Sequence, residues 1–111
     1  MEKAINSKSI YEKIRRNEMV ILYFSSINDD VCESIKYKIS RILEFYPNVK
    51  SIEIEGEKHM DIAAANDVFS FSQLILCVNG RETVRIGKNG DFLELEKNIK
   101  RYYDLLYKVW P

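Results

Sequence analysis

The sequence predicts an α/β fold in which a central mixed β-sheet of four to five strands is flanked by helices on both faces. Two apolar runs, "MVILYF" at 19–24 and "LILCV" at 74–78, lack the alternation of half-exposed strands, which indicates strands buried on both sides. Segments with apolar residues at helical spacing lie between the strands, as in units that pair strands in parallel. The dipeptide Asn79-Gly80 predicts a hairpin that adds an antiparallel edge.

Length and composition favour one globular domain spanning residues 1–111. Apolar residues make up 46% of the chain and charged residues 31%, proportions that argue against disorder. The longest apolar run, Met19 to Phe24, is too short to cross a bilayer, and the first sixteen residues lack the apolar segment of a secretory signal. We therefore expect no membrane association and a cytoplasmic location.

The charges of the chain balance, with 17 Lys and Arg residues against 17 Asp and Glu residues. A protein without net charge has no overall field that would attract nucleic acid, so we expect no nucleic-acid binding. The two cysteines, Cys32 and Cys77, lack the paired spacing of a zinc site or a disulfide framework and are expected to be free thiols. No metal and no cofactor is expected.

The first half of the chain is predicted to alternate helices and strands. Ser7 or Ser9 caps a helix over about 7–17, and "MVILYFS" follows as the central strand. A long helix is predicted over about 29–46, because apolar residues recur every three or four positions until Pro47 disfavours a helical residue before it. The segment "KAIN" near the start is predicted as a short additional strand.

The second half continues with a strand over about 49–55, which is rich in β-branched residues, and a short helix in "KHMDIAAANDV". A buried strand at about 73–78 and the segment "ETVRIG" form the two arms of the predicted hairpin. The last amphipathic helix runs from Phe92 to Leu106, and its aromatic residues continue to Trp110. The predicted order is therefore helix, strand, helix, strand, helix, strand, strand, helix.

The stretch "SSINDDVCES" at 25–34 joins the central strand to the long helix, a place where α/β proteins often hold their chemistry. It contains Asp29, Asp30 and Cys32. The two aspartates have two interpretations: Asp29 caps the helix by accepting the N–H of Cys32, a stabilisation of ~1 kcal/mol, or the pair serves as catalytic carboxylates or metal ligands. Capping is favoured because no histidine lies near them in the sequence.

The order of elements, with a strand running into a cysteine-bearing helix and a later strand ending in "NG", resembles the thioredoxin family. The resemblance covers nearly the whole chain and implies a thioredoxin-like fold. In that family the strand leads to a Cys-x-x-Cys motif at the start of the second helix, and a cis-proline opens the strand that ends in "NG". Here "YFSSINDDVCESIK" and "VFSFSQLILCVNG" take these two places.

Aligned without gaps, Cys32 falls on the second cysteine of the family motif and Asp29 on the first. The Cys-x-x-Cys motif is thus replaced by Asp29-Asp30-Val31-Cys32, and Ser72 stands at the cis-proline. These five residues are the family active-site positions in this chain, and Cys32 is the only candidate catalytic thiol among them.

Three further family positions also differ. Asn28 stands at the tryptophan before the motif, Tyr23 at the buried aspartate that assists proton transfer, and Tyr37 at the proline that kinks the helix. Apart from Cys32, every position that the family uses in its mechanism has changed.

The family's disulfide reduction needs a thiolate at the helix N-terminus and a second thiol that resolves the mixed disulfide. One cysteine cannot complete that cycle, so Cys32 is either a small, half-buried packing residue or a working single thiol. On the family's layout Cys77 lies about 16 Å from the active-site edge, at ~3.3 Å per residue of strand, too far for a disulfide with Cys32. Because a cis bond before a non-proline residue costs about 3 kcal/mol, the Phe71-Ser72 bond is expected to be trans, which would reshape the edge that holds extended peptides.

Three functional hypotheses follow. The chain is a thioredoxin-like scaffold that has lost dithiol chemistry and binds a partner protein or client peptide at the groove near Asp29 and Ser72. Alternatively, it is a monothiol redox protein in which Cys32 forms mixed disulfides with glutathione or a client. The third hypothesis, an ordinary dithiol thioredoxin in redox homeostasis, is the least favoured because Asp29 cannot act as a sulfur nucleophile.

Overall fold

The computed structural model describes residues 1–87 and 89–107 of the 111-residue chain. In chain order its elements are β1 (Glu2–Lys3), α1 (Ser7–Arg16), β2 (Met19–Ser25), α2 (Cys32–Leu43), β3 (Lys50–Glu55), α3 (Met60–Ala65), β4 (Gln73–Val78), β5 (Arg81–Ile86) and α4 (Phe92–Tyr107). The predicted order of helices and strands is confirmed. A short first strand is present, but it lies at Glu2–Lys3 and overlaps the predicted segment 3–6 only at Lys3. Trp110, which belongs to the aromatic cluster predicted past the last helical repeat, lies outside the described residues.

The five strands form one mixed sheet in the order β1-β3-β2-β4-β5. The central strand β2 pairs in parallel with β3, where Leu22 faces Ile52, and antiparallel with β4, where Leu22 faces Ile75. The hairpin of β4 and β5 completes the antiparallel side. The predicted mixed sheet with a buried central strand is therefore confirmed.

Each face of the sheet carries its own apolar core. The side chains of β2 alternate, so that Met19, Ile21 and Tyr23 belong to one core and Val20, Leu22 and Phe24 to the other. The first core is completed by α2 and α4, and the second by α1 and α3. Helices on both faces explain why β2 is apolar without interruption, since neither side of it meets water.

The cap of α1 differs from the prediction. Asn6, rather than Ser7 or Ser9, is the N-cap: its side-chain oxygen accepts the N–H of Ser9 at 3.0 Å. The Ser9 hydroxyl accepts the N–H of Asn6 at 3.3 Å in return. Ser9 stands at the third helical position, so its hydroxyl completes a capping box instead of forming the cap itself.

Helix α2 is shorter than predicted at both ends, because it begins at Cys32 and ends at Leu43. At its end the N–H groups of Phe45 and Tyr46 bond to the carbonyls three residues before them, which tightens the chain into turns. Tyr46 is partly buried and packs against the core, with its ring edge-on to Tyr103 at 5.1 Å between centroids. Apolar periodicity thus continued beyond the helix itself.

The turn between β4 and β5 has the conformation that the Asn-Gly dipeptide predicts. Asn79 has φ of 51° and Gly80 has φ of 80°, both in the left-handed region required by a two-residue hairpin turn. At the other end of the hairpin, α4 buries Leu95 and Ile99 against the sheet. Within the described residues, no helix has the length and apolar character needed to cross a membrane.

Candidate functional site

The chain leaves β2 through a turn in which Asp29 holds two other segments. One carboxylate oxygen of Asp29 accepts the N–H of Val31 at 3.1 Å, and the other accepts the hydroxyl of Ser72 at 2.9 Å. The N–H of Cys32 bonds to the backbone carbonyl of Asp29, at 3.4 Å. The predicted side-chain cap on Cys32 is therefore wrong: Asp29 forms a local turn to Val31 and links this turn to the segment before β4.

Cys32 is the first residue of α2, and its side chain is buried, with 7% of the residue exposed. Its sulfur lies 3.3 Å from the carbonyl oxygen of Ser26, to which the thiol can donate, and 3.4 Å from the N–H of the same residue. The Ser72 hydroxyl oxygen lies 3.4 Å from the sulfur. The thiol is thus enclosed by polar groups from the turn before α2 and from the segment before β4.

Ser72 occupies the cis-proline position with a different backbone. The Phe71-Ser72 bond is trans, as predicted, but Ser72 has φ of 63°, in the left-handed region that non-glycine residues rarely adopt. Its N–H donates to the carbonyl of Phe24 at 2.7 Å, which fixes it against the end of β2. This conformation places the Ser72 hydroxyl between Cys32 and Asp29, a geometry that the sequence does not reveal.

Tyr23 lies beneath these residues at the position of the family's buried aspartate. The residue has no exposed surface, and its hydroxyl has no hydrogen-bond partner within residues 1–87 and 89–107. The hydroxyl faces Cys32 and Ser72 without completing a hydrogen bond to either. Burial, with the nearby Cys32 as the next cause, strongly raises the pKa of Tyr23, so the hydroxyl stays protonated and available as a donor.

A buried carboxylate, Glu53, lies beside the turn and was not anticipated. It accepts the Ser25 hydroxyl at 2.6 Å and pairs with Lys36 of α2 at 3.2 Å. Burial alone would raise the pKa of Glu53, but these two hydrogen bonds and the charges of Lys36 and Lys3 outweigh it and lower the pKa. The only sequence signal was a charged residue between Ile52 and Ile54, on a strand that is otherwise apolar at its centre.

A second carboxylate fixes the other side of the turn. Glu57, in the segment after β3, accepts the Ser26 hydroxyl at 2.6 Å and the N–H of Ile27 at 3.1 Å. The Ser26 hydroxyl bond is the main cause that lowers the pKa of Glu57. Glu57 and Asp29 thus hold the turn from opposite ends, and the lowered pKa of Glu57 keeps it an anionic acceptor at neutral pH.

The site opens to solvent through a cleft of about 330 Å³. Its lining includes Asp29, Asp30, Cys32, Lys36 and Glu53. The larger cavities of the described residues are lined by other parts of the fold. The described residues contain no group of three metal-ligating side chains around a common point.

The structure brings together three of the five family positions. Asp29, Cys32 and Ser72 are joined by hydrogen-bond contacts, whereas Asp30 and Val31 face solvent. Cys77 belongs to the core on the opposite face of the sheet from Cys32, and both cysteines are free.

Comparisons with known proteins agree on the fold. No family model matches the chain. The thioredoxin-like protein YdfQ of Bacillus subtilis (strain 168) is 28% identical over 97 residues, which cover 87% of each chain. Thioredoxin Asp f 28 of Aspergillus fumigatus is 23% identical over 97 residues, covering 87% of this chain and 90% of its own.

Among solved structures, mitochondrial thioredoxin 3 of Saccharomyces cerevisiae in its oxidised form superimposes with a TM-score of 0.79 at 22% identity, over 91% of this chain and 94% of its own. The oxidised thioredoxin of Plasmodium falciparum also gives 0.79, at 16% identity over 93% and 98% of the two chains. The mixed sheet, the covering helices and the cysteine at the start of α2 define a thioredoxin-like α/β protein. The sequence relatives and these structures together support membership of the thioredoxin family.

Proposed function

We propose that this thioredoxin-like protein lacks dithiol-disulfide exchange activity and serves as a protein-binding module. Its groove near Asp29 and Ser72 would receive a segment of a partner protein. We place it in the cytoplasm, where its two free cysteines would remain thiols.

The observation that carries the proposal is the hydrogen bond of 2.9 Å between the Asp29 carboxylate and the Ser72 hydroxyl. Asp29 stands where the family has its nucleophilic cysteine, and Ser72 stands where it has its cis-proline. Neither side chain contains sulfur, so neither can take part in disulfide exchange. Exchange of a dithiol for a disulfide requires two neighbouring thiols, and the chain has only Cys32 at this site. The Asp29 carboxylate, held by the Val31 N–H and the Ser72 hydroxyl, has a fixed position from which it can accept a hydrogen bond from a partner.

Apolar side chains flank the site and supply a surface for a partner. Ile27 is 72% exposed in the turn before α2, Phe69 is 80% exposed in the segment before Ser72, and Val31 is partly exposed. Exposed apolar side chains around a polar centre are typical of protein-protein contact sites. The partner that fits them is a protein segment with apolar side chains on either side of a hydrogen-bond donor that meets Asp29.

The first experiment measures reduction of insulin disulfides with NADPH and thioredoxin reductase. The wild type is expected to give the background rate, whereas Asp29→Cys, which restores two cysteines at the family spacing, is expected to reduce insulin measurably. Asp30→Cys adds a thiol at the wrong spacing and serves as the control. Reduction by the wild type at the rate of a dithiol thioredoxin would overturn the proposal.

The second experiment tests the binding surface with phage-displayed random peptides selected on the immobilised wild type. Peptides that are enriched should lose at least tenfold in affinity for Phe69→Ser. They should keep their affinity for Phe45→Ser, which changes an equally exposed phenylalanine past the opposite end of α2. Equal losses in both variants, or no enrichment of any peptide, would argue against a binding groove here.

The monothiol alternative makes a different prediction. To attack a client disulfide, the Cys32 sulfur must approach one sulfur of that disulfide along the axis of its S–S bond. The Cys32 side chain is nearly covered, which hinders this approach. We expect little mass gain at Cys32 when the folded Cys77→Ala variant is incubated with oxidised glutathione, and rapid gain after unfolding. Rapid glutathione addition to the folded protein would favour the monothiol function.

A further inference from the structure

We propose that Cys32 is a site of oxidation by hydrogen peroxide or another small hydroperoxide, and that the fold holds the product as a sulfenic acid. The inference goes beyond the proposed binding function, because it depends on the surroundings of the sulfur alone. A buried cysteine would not suggest this chemistry by itself; the donor groups around it do.

The first supporting observation is the Tyr23 hydroxyl. It is fully buried, has no hydrogen-bond partner in the part of the chain that the structure describes, and faces the Cys32 sulfur. A buried hydroxyl without a partner is uncommon and destabilising, so its retention calls for an explanation. An oxygen atom added to the sulfur would give this hydroxyl an acceptor.

The second observation is a route for the thiol proton. The Ser72 hydroxyl directs its proton to Asp29 at 2.9 Å, which leaves the Ser72 oxygen, 3.4 Å from the sulfur, as an acceptor for the proton of Cys32. A proton can therefore pass from the thiol to Ser72 while the Ser72 proton passes to Asp29. The N–H of Ser26, 3.4 Å from the sulfur, stabilises the thiolate that remains.

The reaction then balances without a further reagent. The thiolate of Cys32 attacks one oxygen of the hydroperoxide, so that an S–O bond forms and the O–O bond breaks. Sulfur loses two electrons and the peroxide gains them. The hydroxide that leaves takes the proton held on Asp29 and becomes water, so the sum is thiol plus hydrogen peroxide giving sulfenic acid plus water.

The third observation explains why the sulfenic acid would not be consumed by disulfide formation within the chain. A sulfenic acid is normally consumed by a neighbouring thiol, which forms a disulfide. The only other cysteine, Cys77, lies in the core on the opposite face of the sheet. The cleft of about 330 Å³ beside Cys32 admits a small peroxide, whereas the 7% exposure of Cys32 hinders larger reagents.

The test treats the folded Cys77→Ala variant with hydrogen peroxide, unfolds it in dimedone, and maps the adduct by peptide mass. Dimedone distinguishes a sulfenic acid from oxidised methionine. We expect the adduct on Cys32, with its yield reduced at least threefold by Tyr23→Phe in the same background. Tyr37→Phe, which changes an exposed tyrosine on α2, should have no effect.

Two outcomes would overturn the inference. The first is the absence of an adduct on Cys32. The second is an equal adduct yield with and without the Tyr23 hydroxyl, which would mean that this hydroxyl does not hold the sulfenic acid. Should Tyr23→Phe fail to fold, the decisive comparison is the lifetime of the sulfenic acid in the folded chain against the chain in urea. A lifetime no longer when folded would also overturn it. None of these results bears on insulin reduction or peptide binding, so each proposal can fail separately.

Discussion

At the scale of single residues, Ser72 combines a strained backbone with two useful hydroxyl contacts. Its φ of 63° costs a non-glycine residue roughly 1–2 kcal/mol. The contacts to Asp29 and Cys32 offset part of this cost. The two contributions can be separated, because alanine and glycine both remove the hydroxyl and only glycine relieves the strain.

We therefore predict that Ser72→Gly is more stable than Ser72→Ala by about 1 kcal/mol in the free energy of unfolding. Ser72→Ala should also be less stable than the wild type, because it keeps the strained backbone and loses the hydroxyl contacts. Urea denaturation of the three proteins measures the difference. If Ser72→Ala equals or exceeds Ser72→Gly in stability, the left-handed backbone at this position is not strained in solution.

How far the sequence predicted these residues depends on the kind of signal. Asp29, Cys32 and Ser72 could be brought together because their positions match a family pattern that spans nearly the whole chain. The left-handed conformation of Ser72 and the burial of the Tyr23 hydroxyl beneath Cys32 were not predictable, since both depend on the three-dimensional approach of segments far apart in sequence. Asp29 was assigned to the wrong partner because capping rules consider only the local helix, and Ser72 lies outside it.

At the scale of secondary-structure elements, two polar contacts fix the elements around the site. The Lys36–Glu53 pair fastens α2 to β3, and Arg85 fastens β5 to the segment that leads to Ser72. Neither was visible in the sequence, because Lys36, Glu53 and Arg85 stand in charge patterns that ordinarily face solvent. Each gives a prediction at this scale.

The first concerns acid stability. Because hydrogen bonds and charge lower the folded-state pKa of Glu53, the carboxylate contributes stability above its unfolded pKa, and this contribution is lost as the pH falls through the folded value. The free energy of unfolding should therefore fall between pH 6 and pH 3, and Glu53→Gln should show a shallower fall. At neutral pH we expect Glu53→Gln to lower the free energy of unfolding by about 2 kcal/mol.

Urea denaturation at several pH values measures the effect. An identical dependence of the unfolding free energy on pH in Glu53→Gln and the wild type would contradict the prediction. Glu44→Gln, which changes an exposed ion pair, is the control.

The second concerns Arg85. Its guanidinium donates to the carbonyls of Asn66 at 2.7 Å and Asp67 at 2.9 Å while it pairs with Glu82. We predict that Arg85→Ala accelerates hydrogen exchange in the segment 66–72 and destabilises the protein by about 1–2 kcal/mol, since two carbonyls lose a charged donor. Exchange measured by mass spectrometry should be unchanged in Arg81→Ala, an exposed arginine at the start of β5. Equal protection in Arg85→Ala and wild type would show that the segment is held by other contacts.

At the scale of the whole molecule, the sheet divides the protein into two cores, each with one cysteine. Cys32 lies on the side of α2 and α4, and Cys77 on the side of α1 and α3. Burial, then the charge of Glu82, raises the pKa of the Cys77 thiol, so it stays protonated at neutral pH.

We predict that mild oxidation with copper phenanthroline produces no disulfide within a single chain, because the sheet separates the two sulfurs. Intact mass under non-reducing conditions should show a monomer without the loss of two hydrogen atoms that a disulfide causes. A monomer that has lost two hydrogen atoms while keeping its native circular dichroism spectrum would contradict this arrangement.

The single domain over residues 1–111 stays a prediction, and one cooperative unfolding transition would support it.

The overall architecture was easier to predict than the details of the site. The unbroken apolar character of β2 predicts a strand covered on both faces, and the Asn79-Gly80 dipeptide predicts a tight hairpin turn. Boundaries were less predictable where side-chain contacts decide them. The helix after β2 was extended to Tyr46 because that residue keeps the apolar spacing. Its ring does reach the core, but from a turn rather than from the helix.

The sheet order also has a kinetic consequence. β1 pairs with β3 through Glu2 and Ile52, so this contact closes a loop of about 50 residues. β2 and β3 must also meet across the whole of α2. Such distant pairings are slow to form, so folding is expected to be slower than that of helical bundles and faster than that of all-β sandwiches. With only two residues in its ladder, β1 would be the last strand to join the sheet and the first whose amide protons exchange with solvent.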